Sequence, residues 1–176
     1  MTNGTKALGG QVTTLRWVKD TRELWDTLTG AELLMAISDG RFPPLNDVSE
    51  YIGQKIVKAE PGRVALSWTP GRHLCNAGGI VHGGFIAAIC DNGVCLAAAS
   101  LGEVFIPQLT LNLNINYLRA VHADRTYSVV GTTVHAGRTR CVSTSTVYDS
   151  DGNPCAVANA STTDNLAFAR NRKVST

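Results

Sequence analysis

The chain has 176 residues, a formal net charge of +2 and an aromatic content of 6%. That length suits one domain with a full core, and the small charge, the lack of a basic run and the scarcity of aromatic rings for base stacking exclude a nucleic-acid partner. The five cysteines (Cys75, Cys90, Cys95, Cys141, Cys155) are odd in number and form no Cys-x-x-Cys pair. Neither a disulfide framework nor a zinc site is therefore expected, and the compartment they indicate is a reducing cytoplasm.

Residues 1–20 read as a flexible N-terminal arm, rich in Gly, Thr and Asn at its start and without the charged and apolar regions of a secretory signal. Residues 21–168 form the expected single domain, and 169–176 a polar C-terminal tail. Leu24, Trp25, Leu28, Leu33, Leu34 and Ile37 give Thr21–Ser38 the stripe of a surface helix, with a break at Gly30. Gly40 caps it and Pro43-Pro44 cannot continue it. Two strands follow, 53–59 and 63–69, joined by the turn Glu60-Pro61-Gly62, with Val64, Leu66 and Trp68 alternating inward. Further on, Leu109, Leu111, Leu113, Ile115 and Tyr117 alternate with Thr110, Asn112, Asn114 and Asn116, which predicts a strand with one core face and one polar face. Three more strands are expected over 127–135, 140–148 and 155–163, the last two joined by a hairpin at Asp149–Asn153.

Between the two sets of strands, Ile80 to Leu101 is almost wholly apolar or small, with one charge, Asp91, at its middle. A run of that length is a helix, and Gly78, Gly79, Gly83 and Gly84 mark the turn at its start. Asp91, the glycines and the missing aromatic belts argue against a membrane span. A helix apolar on all sides is expected to be buried, and a buried carboxylate must be paired, protonated or used for chemistry. Burial raises the pKa of such a group and hydrogen-bond donors lower it. The helix N-terminus offers the backbone amides of Gly83 and Gly84 to a developing oxyanion. One helix followed by two strands, a long central helix and four strands joined by short turns argues an α+β architecture, an antiparallel sheet with the helix across its concave face.

Asn76, His82-Gly83-Gly84 and Asp91 resemble the active-site signature of the hotdog-fold acyl-CoA thioesterases of the phenylacetate-degradation, PaaI-like type, and the resemblance runs from about Leu33 to Thr163. It implies the hotdog fold and hydrolysis of an acyl-CoA thioester, with an apolar or aromatic acyl group, to the free acid and CoA. Asp91 would attack the thioester carbonyl to form a mixed anhydride, or act as general base toward water. Gly83, with Gly84 beside it, would stabilise the oxyanion. Asn76 would position water or polarise the carbonyl, and His82 would hold the local hydrogen bonds, although on the residues alone both read equally well as loop caps. Gln108 and Thr110 stand where some relatives place a polar group beside the carboxylate. The N-terminal helix would cover the acyl pocket or set substrate length.

No cofactor is implied, CoA being part of the substrate, and no metal is expected, since His122 and His135 lack a ligand spacing. CoA is polyanionic and needs cations at the mouth of the site. Arg138 and Arg140, in the turn Gly137-Arg138-Thr139-Arg140, are the first candidates and Arg119 the next. Two rival functions are a hotdog hydratase or dehydratase and a non-catalytic acyl-CoA-binding protein. The former needs a His paired with an acid, but His82 lies about two and a half helical turns from Asp91 and off its face. Asp91 weighs against the latter. Eight positions at about 1.5 Å each set Gly83 and Asp91 about 12 Å apart, too far to serve one carbonyl. A homodimer with antiparallel helices and composite sites is therefore expected, and the resemblance adds pairing of such dimers into a homotetramer.

Overall fold

Strands β1 (Gln54–Glu60), β2 (Arg63–Trp68), β3 (Gln108–Tyr117), β4 (Tyr127–Ala136), β5 (Cys141–Tyr148) and β6 (Pro154–Asp164) form one antiparallel sheet in the order β1-β2-β4-β5-β6-β3. The computed structural model describes residues 19–168, with side chains from residue 21. The expected polar tail lies outside them, as does the expected arm apart from its last two residues. Helices α1 (Lys19–Thr27), α2 (Gly30–Ser38) and α3 (Asp47–Tyr51) precede the sheet, and α4 (Gly83–Ala99) is inserted between β2 and β3. Val64, Leu66 and Trp68 are buried on β2, as their alternation requires. Among the described residues, no helix is long and apolar enough to cross a membrane.

Helix α4 packs across β2, β3, β4, β5 and β6, burying Ile86, Ile89, Cys90, Val94 and Ala97 against them. Its approach to the sheet is backbone on backbone. A Cβ built on Gly131 of β4 would lie 2.0 Å from the carbonyl oxygen of Gly93 on α4. Neither backbone can yield without moving the helix, so Gly131→Ala is expected to destabilise the fold by about 3 kcal/mol or more. Urea unfolding checks this as a lower midpoint at unchanged slope.

Four features depart from the sequence reading. The helix expected over 21–38 is two helices, and the break falls at Leu28–Thr29 rather than at Gly30. Thr29 is the N-cap of α2, and its side chain and that of Glu32 form a reciprocal capping box. Nor is it a surface helix: Leu33, Leu34 and Ala36 are fully buried and Trp25 nearly so, because α2 packs on the face of β1. Helix α3, capped by Asn46, is too short for its apolar period to register in the sequence.

The strand Leu109–Tyr117 is β3, but its two faces are not core and polar. It is the edge of the sheet, and Leu109, Leu111 and Tyr117 are each about half exposed (48%, 49% and 53%). Its pairing with β6 also shifts between Thr110 and Asn112. A bulge inserts one residue and so reverses the alternation beyond it. Thr110 thereby reaches α4 on the same side as Leu113 and Ile115, which pack against the core.

The fourth departure is α4 itself, which is not buried all round. Gly84 is exposed, and Ala87, Ala88, Asp91, Asn92, Cys95 and Leu96 are only partly covered. They form one stripe at helical spacing, facing away from the sheet.

Candidate active site

The approach to α4 is a tight hairpin. Asn76 and Gly79 close a turn through the Gly79 N–H to Asn76 C=O bond (3.0 Å), Asn76 N–H donates to Ile80 C=O (2.8 Å), and a bridge pairs Cys75 with Val81. Gly79 takes φ +78°, the left-handed conformation that such a turn demands of its last residue. The Asn76 side-chain oxygen accepts from Gly78 N–H (2.9 Å), holding the turn as an Asx cap.

His82 is the N-cap of α4, its Nδ1 accepting from Gly84 N–H at 3.0 Å. The ring nitrogen thus occupies one of the helix's free donors. Phe85 N–H bonds to His82 C=O, whereas Gly83 N–H has no acceptor among the described residues. Tyr117, at the end of β3, donates its hydroxyl to Gly83 C=O (3.0 Å) and ties the strand to the helix start. Gly83 and Gly84 thus play different parts: the Gly83 amide is open to a ligand, and the Gly84 amide is capped.

Two turns further along α4, the Thr110 hydroxyl donates to Asp91 Oδ1 at 2.6 Å. Cys95, one turn beyond Asp91, places Sγ 3.3 Å from Thr110 Oγ1. Since the Thr110 proton is committed to Asp91, the thiol is the donor of that second bond. Burial pushes the Cys95 thiol up to about 11, opposed by the Thr110 contact and reinforced by the Asp91 charge. It is therefore a neutral S–H donor near pH 7. The resulting relay, Cys95 to Thr110 to Asp91, fixes one carboxylate oxygen and leaves Oδ2 available.

Gln108 is fully engaged in the protein. Its amide nitrogen donates to Asp164 Oδ1 (2.7 Å), and its oxygen accepts from the buried Thr162 hydroxyl (3.1 Å). Arg138 and Arg140 are exposed in the β4–β5 turn, which Gly137 N–H closes onto Arg140 C=O (2.9 Å). Register carries that turn toward the Thr110 end of the sheet, because Cys141 pairs with Thr162 and Thr162 with Thr110. Arg119 lies at the opposite end of β3, its guanidinium donating to Pro154 C=O at 2.6 Å. Within one chain, then, Asp91 and Thr110 share one end with the Arg138–Arg140 turn, and Gly83, His82 and Tyr117 form the other.

A model of the thioesterase superfamily matches residues 78–156, which include the helix start, Asp91 and Thr110. A conserved protein of Pseudomonas aeruginosa is 30% identical, with a TM-score of 0.63 over 68% of this chain and 94% of its own. This chain belongs to the thioesterase superfamily. A hypothetical thioesterase of Streptococcus pneumoniae, solved with coenzyme A, is 29% identical to it, with a TM-score of 0.59 over 64% of this chain and 88% of its own. The PaaI protein of the E. coli phenylacetic acid degradation operon, 15% identical, superposes with a TM-score of 0.67 over 77% of this chain and 96% of its own, a likeness of fold. The architecture is the hotdog fold and the protein is a thioester hydrolase.

In this thioesterase, Cys95 and Tyr117 are neighbours of the candidate residues that sequence reasoning did not select. Cys95 had a usable signal, since it stands at i+4 from Asp91 and so on the same helical face. Tyr117 had none, because nothing in a strand sequence tells which helix turn its far end meets.

Proposed function

We propose that this thioesterase is a cytoplasmic enzyme that hydrolyses acyl-CoA esters at two composite sites per homodimer, two dimers pairing into a homotetramer as in the type it resembles. The observation that carries the reading is the Asp91–Thr110 hydrogen bond on the uncovered stripe of α4, beside β3 at the edge of the sheet formed by the described residues. An exposed edge strand with half-exposed leucines invites a second copy. A two-fold axis beside β3 sets the Thr110 end of one strand against the Tyr117 end of its partner. Asp91 of one subunit then approaches Gly83, Asn76 and Arg119 of the other.

Thr110 holds one oxygen of Asp91, and the other is free to draw a proton from water or to attack the thioester carbon itself. The oxyanion formed at the carbonyl is met by the open Gly83 amide, a donor of a kind worth about 3–4 kcal/mol in the transition state. Collapse of the tetrahedral species breaks the C–S bond. On the general-base route the proton that Asp91 took from water passes to the departing sulfur, and the free acid and CoA thiol leave. On the nucleophilic route CoA leaves as the thiolate and takes a proton from solvent, and a water then cleaves the Asp91 mixed anhydride to give the free acid and the carboxylate. His82 acts through Gly84, holding the first helical turn so that the Gly83 amide keeps its direction. CoA as the leaving group is supported by the coenzyme A in the Streptococcus pneumoniae structure, and Arg138 and Arg140 supply cations for its phosphates.

A panel of acyl-CoA esters followed by free-thiol release tests the reading. Turnover of apolar or aromatic esters is expected, and a folded protein that releases thiol from none of them overturns it. In the same assay, replacing Arg138 and Arg140 together with Ala is expected to raise KM for CoA esters about tenfold with little change in kcat. It should leave the corresponding pantetheine esters unaffected, because a remote phosphate contact contributes uniform binding. Equal effects on both ester types would remove these arginines from the site.

A further inference from the structure

Two glycines in succession open α4, and the amide offered to the oxyanion belongs to the first of them, Gly83. Glycine backbone is the least restricted of any, so a donor carried on such a pair is aimed only when groups outside the pair hold it. The peptide unit that joins Gly83 to Gly84 is gripped on both edges. On one edge the Gly84 N–H donates to His82 Nδ1 at 3.0 Å, and on the other the Gly83 carbonyl accepts from the Tyr117 hydroxyl at 3.0 Å. The N–H and C=O of a trans peptide point in opposite directions, so the two bonds together resist rotation of the plane between them. One grip is local, from two positions away in the chain. The other comes from the far end of β3, 34 positions on.

Neither partner needs the Tyr117 bond to be satisfied. A carbonyl in the first turn of a helix already accepts from the amide four positions on, and Tyr117 is half exposed, so water is at hand for its hydroxyl. The ring nonetheless runs alongside Gly83. A Cβ built on that glycine would meet Tyr117 Cζ at 3.4 Å and the phenolic oxygen at 3.5 Å, ordinary contact distances that leave no slack between ring and backbone. The ring thus holds its own place against the helix start while the hydroxyl reaches the carbonyl, which makes orientation the purpose of the bond.

We infer that Tyr117 is a positioning residue for the reaction: its hydroxyl, working against His82 across the Gly83–Gly84 peptide, aims the Gly83 amide at the developing oxyanion. The inference rests on the acyl-CoA hydrolase reading above and deepens it, by adding a residue that lies outside the stretch from Asn76 to Asp91. Its part is indirect. The Gly83 N–H and the gripped peptide plane meet at one α-carbon, so a swing of that plane carries the first helical turn, and the amide with it. An oxyanion donor contributes most when it is already aimed as the charge forms. Loss of the grip therefore falls on the transition state and spares the bound ester.

The test is steady-state thiol release from acyl-CoA esters by Tyr117→Phe, which keeps the ring against Gly83 and removes only the hydroxyl. Its kcat is expected to fall about tenfold, a part of the roughly 10²–10³-fold that a whole oxyanion donor contributes, with KM and the thermal midpoint close to wild type. His82→Ala removes the opposite grip. Since groups that work as a unit are not additive, the double variant His82→Ala/Tyr117→Phe should lose no more kcat than the more damaged of the two single variants. Should the double variant not fold, the split between kcat and KM in Tyr117→Phe decides by itself. A Tyr117→Phe enzyme with wild-type kcat, a loss confined to KM, or single losses that multiply in the double variant overturn the inference while leaving the hydrolase reading intact. A folded wild type that releases thiol from no acyl-CoA ester overturns the hydrolase reading on which it stands.

Discussion

Asp91→Asn is expected to lower kcat for acyl-CoA esters by at least about 10²-fold, whichever of its two routes the carboxylate takes. Asparagine keeps the size of the side chain, and its Oδ1 still accepts from the Thr110 hydroxyl that now lies 2.6 Å from the Asp91 carboxylate. The Cys95–Thr110 contact is likewise retained. What is removed is the negative charge, and with it both the ability to take a proton from water and the nucleophilic oxygen. Binding of a non-hydrolysable thioether analogue of the substrate should therefore be close to that of the wild type, as should the thermal midpoint. Steady-state thiol release decides the matter: near-wild-type turnover by the variant would remove Asp91 from the chemistry and leave the Asp91–Thr110 pair as a structural contact.

Mixing two inactive variants gives the second large effect. The distance of about 12 Å along α4 prevents one chain from offering both Gly83 and Asp91 to one carbonyl, and in the fold each of these residues is tied to a different end of β3. Asp91→Asn and Asn76→Ala remove the carboxylate from one half-site and the loop amide from the other. Asn76→Ala also removes the Asx cap on Gly78, so its loop loosens along with the loss of the side chain. In a mixed dimer with composite sites, one site carries both lesions and the other neither. Co-refolding equal amounts puts half the molecules in mixed dimers with one intact site each, so roughly a quarter of wild-type activity should return. Mixed dimers, verified as such by differential tagging, that stay as inactive as their parents would show that each chain builds its own site, and the two-fold arrangement would be wrong.

Much of this protein was legible in its sequence because the information is local. The inward alternation of Val64, Leu66 and Trp68, the turn at Glu60-Pro61-Gly62, the hairpin at Asp149–Asn153 and the long helix around Asp91 depend on residues within a few positions of one another. The signature from Asn76 to Asp91 is local as well, which is why the superfamily could be read from it. Other features depend on contacts between distant parts of the chain. A single bulge at Thr110/Asn112 reverses which face of β3 meets the helix, and alternation taken on its own had put Thr110 on the side opposite the core. Thr29 moved the helix break because its hydroxyl found Glu32, and α2 was buried because β1 lay beside it. The apolar composition of α4 suggested burial all round, whereas the sheet covers only one side of it within a single chain. Gln54 and Asn92, 38 positions apart, had no signal to link them before the fold brought one amide against the other. Periodicity and turn chemistry act over one or two turns of chain and determine the elements. Which side chains then meet, and which faces are left for a partner or a substrate, is decided by strand register and by the crossing of α4 over the sheet, which only the tertiary structure supplies.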